Sequence, residues 1–345
     1  YPPNLPLEFP DGHGSPKWYR DSTGLALQPC LNDPASPTFD MCLPWAFDPV
    51  GYPNNHGAEA FYLAAEVIGL AGDGVLGDLV IALEAAYSLG DVPTRFDEMA
   101  FSRVRIRIDI NDGGNTNPSI PASGTWRVVH PYGVSVFDNV GQGRKAVNFT
   151  NDVGITPLEF DIALGGQVGP FLTWDTYPND ESLKVRDGAG AIVEEYVGNP
   201  TVPHRVKGSP FNTNVFRIEG PPGCAIGGFD GSGQPIDFIE TVRFALSGKK
   251  WLKPIPVKTE VKRAVYSRDP SSSQLTAWAN ADVTVPGKPV PQLAVSGAGL
   301  PGQVSMLHDG QGAFFRNVIF PAPDAPLPDT VTVANLTDVP FATTT

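Results

Sequence analysis

The chain has 345 residues, 41% of them hydrophobic, which is enough for packed cores and excludes a disordered polymer. Its 37 glycines and 36 prolines are scattered rather than periodic, so collagen is excluded and many short strands joined by tight turns are expected. With 24 basic and 37 acidic residues the formal net charge is 24 − 37 = −13, a surface that repels phosphate backbones and excludes nucleic acid as an expected partner.

No apolar run reaches the length of a membrane span, because Glu66, Asp73, Asp78 and Glu84 interrupt the longest stretches. The chain opens on Tyr1-Pro2-Pro3, as expected of a mature extracellular protein exported by a removed signal peptide. Residues 1–57 read as an extended N-terminal arm, with apolar Leu5, Leu7 and Phe9 alternating along it, followed by a stapled loop. Cys30 and Cys42 flank the proline-rich stretch from Leu31 to Met41 and fit a disulfide, which closes a loop worth about 3 kcal/mol in chain-entropy terms and implies an oxidising compartment. Trp18, Tyr19, Trp45 and Phe47 are expected to pin this segment onto the domain that follows. Cys224 is left over, as a buried thiol or an intermolecular link.

A β-sandwich region is expected over 58–248, with room for two sub-domains. Its first stretch, Ala58 to Gly90, contains good helix formers, yet alternation and the punctuation by Gly69, Gly72, Gly74 and Gly77 favour strands. The clearest strand is Phe101–Ile110, where Val104, Ile106, Ile108 and Ile110 alternate with Arg103, Arg105, Arg107 and Asp109. The arginine stripe reads as a solvated face paired with acidic neighbours. Further strands are expected at 125–129, 134–137, 145–149, 171–174, 192–196, 202–207, 214–219 and 238–247. A connector rich in charge and proline, Lys249 to Pro256, leads to six or seven short strands over 257–345, the rhythm of an immunoglobulin-like sandwich without its Cys…Trp…Cys core. The expected fold class is all-β: a large sandwich or jelly-roll followed by an Ig-like sandwich.

Two segments, Pro16-Lys17-Trp18-Tyr19-Arg20-Asp21-Ser22-Thr23-Gly24-Leu25 and Gly133 through Gly154, resemble a group of uncharacterised large secreted bacterial proteins. So do Pro203-His204 with Gly208-Ser209-Pro210-Phe211, Phe216-Arg217-Ile218-Glu219-Gly220, and the segments Leu293–Gly297 and His308–Phe315 of the tail. The resemblance covers most of the chain. It implies a fold style and an export route, and no activity or catalytic residue.

No catalytic or cofactor-binding motif is present. Glu84, Asp109, Asp175 and Glu219 are acidic residues in or beside strands, the raw material of a glycosidase pair but also of any acidic β-protein. The histidines 13, 56, 130, 204 and 308 show no zinc spacing, and no G-x-S-x-G elbow exists. Asp109, Asn111 and Asp112 make a calcium-candidate loop that departs from the EF-hand pattern; Asp230–Gly233 and Asp309–Gly312 are fainter versions, all readable as β-turns. Asn148 and Asn335 head sequons. The expected function is an extracellular structural protein, not an enzyme: a self-assembling filament or surface-layer subunit whose partner is itself. The alternative is a carbohydrate-binding accessory module of a polysaccharide-degrading system, and a secreted hydrolase ranks third.

Overall fold

The computed structural model describes residues 14–31, 39–43, 59–90, 94, 96–253, 259–268, 270–281, 291–297, 299–300, 302–308, 312–320, 329–336 and 343–344. Leu5, Leu7, Phe9, Trp45 and Phe47 lie outside these residues. The chain divides into two compact units, Tyr1–Leu252 and Lys253–Thr345. Both are all-β; helical turns among the described residues are limited to short 3₁₀ segments at Phe39–Met41, Ile162–Gly165 and Glu181–Leu183, and no helix is long and apolar enough to cross a membrane.

The first unit contains β1 (Tyr19–Arg20), β2 (Ala26–Gln28), β3 (Glu59–Gly72), β4 (Val75–Tyr87), β5 (Glu98–Ile110), β6 (Ser123–His130), β7 (Gly133–Gly141) and β8 (Gly143–Val153). Then follow β9 (Thr173–Trp174), β10 (Lys184–Arg186), β11 (Ile192–Glu195), β12 (His204–Lys207), β13 (Phe216–Glu219), β14 (Phe238–Thr241), β15 (Arg243–Ser247) and β16 (Lys249–Lys250). A seven-stranded antiparallel sheet runs β8-β5-β4-β3-β15-β12-β9, and a four-stranded sheet runs β14-β13-β6-β7. Between them lies one core, holding Leu79, Ile81 and Leu83 from β4, Val104, Ile106 and Ile108 from β5, and Trp126, Val128, Phe216 and Ile218 from the smaller sheet.

The helix-or-strand ambiguity of 59–87 has a physical source. On β4, Leu79, Ile81, Leu83 and Ala85 face this core, while Val80 and Ala82 on the other face are buried in a small cluster with Leu43, Phe61 and Ala64. A strand covered on both faces reads as a continuous apolar run. Of the four glycines, only Gly74 turns the chain, at φ +75°, in the Asp73-Gly74 hairpin between β3 and β4. Gly69 sits in a bulge at φ +74°, and Gly77 lies mid-strand, where an added Cβ would meet Ile218 Cδ1.

Three expectations are corrected. The stretch 238–247 is two strands, because the chain crosses at Val242 from the smaller sheet to the larger, the way a sandwich turns a corner. Lys249-Lys250 is not connector: it forms β16, paired to β2, and its ammonium groups bond Glu194 and Glu195. The segment expected to be only an extended arm and a stapled loop contains two short strands, since β1 and β2 join β16 in a three-stranded sheet. Cys30 and Cys42 are disulfide-bonded, and Cys224 is a buried free thiol whose pKa burial raises to about 11. Of the pinning aromatics that are described, Trp18 and Tyr19 are buried.

The second unit contains β17 (Thr259–Arg268), β18 (Ser273–Ala281), β19 (Leu293–Ser296), β20 (Val304–Ser305), β21 (Leu307–His308), β22 (Ala313–Phe320), β23 (Thr332–Asn335) and β24 (Thr343–Thr344). They form two four-stranded antiparallel sheets, β17-β18-β22-β21 and β20-β19-β23-β24. Leu275, Ala277, Ala279 and Phe314 from one sheet and Leu293, Val295 and Val333 from the other share a core. Residues 304–308 are divided in the same way, β20 joining one sheet and β21 the other.

Candidate functional site

The W-Y-x-D-x-x-G-L segment turns out to be an architectural knot. Asp21 Oδ1 accepts from Thr23 N, Thr23 Oγ1 and Leu25 N, closing the turn between β1 and β2, and its Oδ2 accepts from Phe171 N at 2.7 Å. Gly24, at φ +90°, completes that turn. Tyr19 OH donates to Phe160 O at 2.7 Å, and Tyr62 OH donates to Pro16 O. These bonds satisfy polar atoms at the rim of the core, and leave none of the segment's carboxylate oxygens facing a ligand.

The calcium-candidate loop is occupied by its own chain. Asp109 Oδ1 accepts from Lys145 N at 2.6 Å. Asn111 Oδ1 accepts from Asn117 N and its amide donates to Asn117 O. Asn115 clasps Gly72 and Gly74, and buried Asn117 donates to Asp73 O and Cys224 O. Asp112 is exposed in the turn. The asparagines thus serve backbone groups of the β3–β4 hairpin, and among the described residues no group of three or more His, Cys, Asp or Glu side chains is placed to hold a metal. Asp230 Oδ1 accepts from Ser232 and Gln234 as an ordinary Asx-turn; the 309–312 loop lies largely outside the described residues.

The four strand carboxylates do not meet. Glu219 bonds Arg127 and Arg217, and Asp175 bonds His204 Nδ1 at 3.1 Å. His204 also stacks on Trp174 at 4.5 Å between ring centroids, a dyad that sequence spacing concealed because β9 and β12 are distant in the chain. Glu84 is buried beside Arg103 on the outer face of the large sheet.

That outer face divides the arginine stripe into three different environments. Arg103 Nε and Nη2 grip Asp152 at 2.8 and 2.9 Å, and its Nη1 donates to Glu84 at 3.2 Å. Burial, opposed by Arg103 and reinforced by Glu59, pushes the Glu84 carboxyl up to about 8, so Asp152 is the ion-pair partner and Glu84 mainly an acceptor. Replacing Asp152 with alanine is expected to cost about 1–2 kcal/mol, because the bidentate pair is only partly exposed, measured as a shift in denaturation midpoint. Arg107 is committed to backbone, donating to Ile106 O, Phe149 O and Thr150 Oγ1. Burial, then Arg105 and Arg103, hold its pKa below the usual range. The Arg105 side chain makes no hydrogen bond or ion pair among the described residues. The expected pairing with acidic neighbours therefore describes Arg103 and not Arg105.

Arg105 opens into a groove of about 300 Å³ lined by Ile68, Asp78, Val80, Arg105, Arg107 and Lys145. Two bulges shape it. In β3, Ile68 and Gly69 stand opposite the single residue Asp78, and Gly69 N donates to Asp78 Oδ1 at 2.8 Å. In β8 the register slips between the partners of Ile108 and Ile110, and Lys145 adopts φ +49° there. Bulges re-aim side chains, and here Ile68 from one bulge and Lys145 from the other both line the groove. The sequon residue Asn148 is exposed on β8, opposite Arg107, whereas Asn335 is fully buried. No family model, curated protein or solved structure matches this chain.

Proposed function

We propose that this chain is a subunit of an extracellular structural assembly, a filament or surface layer, and that strand-to-strand pairing between copies builds it. The observation that supports this most is β17. It lies at the edge of its sheet, pairs only with β18 among the described residues, and is exposed without interruption from Lys262 to Arg268, Tyr266 at 61%. An exposed edge presents unpaired backbone groups to another chain. Antiparallel pairing of two copies centred on Ala264 sets Glu260 opposite Arg268 at both ends, a favourable cross-strand pairing. The bulge at Lys262, whose ammonium bonds Glu260 at 2.7 Å, restricts the registers available to this edge.

Other features agree. The disulfide fits an oxidising compartment. Trp18, Trp126 and Trp174 are buried in the first unit, so these rings offer no stacking platform for a neutral sugar. The strand groups β17-β18-β22-β21 and β20-β19-β23-β24 follow the A-B-E-D and C′-C-F-G order of an immunoglobulin-like sandwich, and we read the second unit as such a module.

Lysine at both Val265 and Tyr266 places like charges across the proposed contact. The variant is expected to need about tenfold more protein to assemble, measured by light scattering over a concentration series. Removal of residues 1–14, the segment that carries Leu5, Leu7 and Phe9, tests in the same assay whether the arm contributes. A native chain that stays monomeric at every concentration reached would remove the reading.

A further inference from the structure

We propose that the groove around Arg105 is a binding site for the carboxylate or sulfate groups of an acidic polysaccharide. Three cationic side chains line it against one carboxylate, in a chain of net charge −13. That carboxylate, Asp78, already gives one oxygen to the backbone of the β3 bulge. Neither Arg105 nor Lys145 has a side-chain hydrogen bond or ion pair among the described residues, although acidic residues outnumber basic ones across the chain. Glu66, across Val80 in the same row of the sheet, feels the charge of Arg105 without bonding it. Two residues away on the same strand face, Arg103 is neutralised by Asp152 and donates a further hydrogen bond to Glu84. The contrast separates a structural guanidinium from one left open.

The shape suits the ligand. Ile68, 65% exposed, provides an apolar surface beside the cations, with the buried Val80 beneath it, fitting the C–H face of a sugar ring whose acid group reaches Arg105 and Lys145. A groove of about 300 Å³ holds one residue of a polymer rather than a large cofactor. An open groove on one face of a sheet lets a chain enter and leave at both ends. Arg105 offers a planar fork to a carboxylate or sulfate, and Lys145 a mobile point charge. The site is independent of the assembly reading, since β17 belongs to the other unit.

The test is calorimetric titration of the full chain with polygalacturonate, dextran sulfate, neutral dextran and inorganic sulfate. Binding to at least one acidic polymer, weakening as salt rises, and no binding to neutral dextran are expected. Arg105→Gln and Lys145→Gln, separately and together, are expected to weaken acidic-polymer binding about tenfold or more with unchanged thermal unfolding. Both side chains lie on the solvent side of the sheet, and the two single variants guard against misfolding of either. Equal binding to neutral dextran, binding unaffected by both substitutions, or no binding to either acidic polymer at moderate salt would overturn the proposal. Binding of inorganic sulfate alone would overturn the polysaccharide assignment.

Discussion

Replacing Trp126 with alanine is expected to lower the unfolding free energy of the first unit by about 4 kcal/mol. The indole lies on β6, 1% exposed, between the two sheets. It stands opposite Phe137 on β7 and is pressed against Gly220, where an added Cβ would come within 3.2 Å of the ring and 2.6 Å of Cys224 Sγ. Neighbours packed this closely cannot all collapse into the space vacated, so the loss combines the transfer of a large aromatic surface with the cavity left behind. In a unit of this size the change corresponds to a fall in melting temperature of roughly 10 °C. Denaturant titration should show a lower midpoint at unchanged slope. Trp126→Phe should recover more than half of the loss. A cost under about 1 kcal/mol for the alanine variant would mean that the small sheet does not pack on the large one through this ring.

Acidification from pH 7 to pH 4 is expected to remove about 3 kcal/mol of stability through His130 alone. The ring is fully buried, and burial lowers its pKa to about 4. Its Nδ1 accepts from Tyr132 N at 3.3 Å, which holds the neutral ring with its proton on Nε2. An unfolded histidine titrates near pH 6.5. Between these values the unfolded chain takes up a proton that the folded chain refuses. The contribution is therefore full well above pH 6.5, declines as pH falls through about 4, and levels off roughly one unit below that. Glu84 acts with the opposite sign. Its raised carboxyl contributes fully below the usual carboxylate range, and that contribution is lost as pH rises towards 8. Comparison with His130→Asn isolates the histidine, because the two proteins share Glu84 and the asparagine oxygen can accept the same Tyr132 N–H. The unfolding free energy of the wild type should fall about 3 kcal/mol more than that of His130→Asn between pH 7 and pH 4. Parallel pH profiles would show that the ring is protonated inside the fold.

What was legible in the sequence follows from how local each signal is. The alternation of Val104, Ile106 and Ile108 with the arginines is a period-two pattern on one strand, and β5 carries it with the isoleucines inside. The Cys30–Cys42 spacing is short enough to read as a closed loop, and the bond is present. The Asp73-Gly74 turn, by contrast, was one of several glycine signals of equal weight. Its place between β3 and β4, with Asn111, Asn117 and Ile120 packed against it, distinguishes it from Gly69 in a bulge and Gly77 in mid-strand.

The sequence by itself determined the all-β class, the disulfide, the inward face of the central strand and the rhythm of short strands in the second half. Each depends on residues close together in the chain, where periodicity and turn chemistry act directly. The tertiary structure alone decided which polar side chains are spent and which are open. Arg103, Arg105 and Arg107 occupy equivalent positions in one strand and look alike in the sequence. They diverge because Asp152 and Glu84 meet Arg103, the backbone of β8 captures Arg107, and two bulges in other strands clear a groove around Arg105. Partners 19 to 49 residues away set these fates, and such separations leave no periodic trace in a sequence.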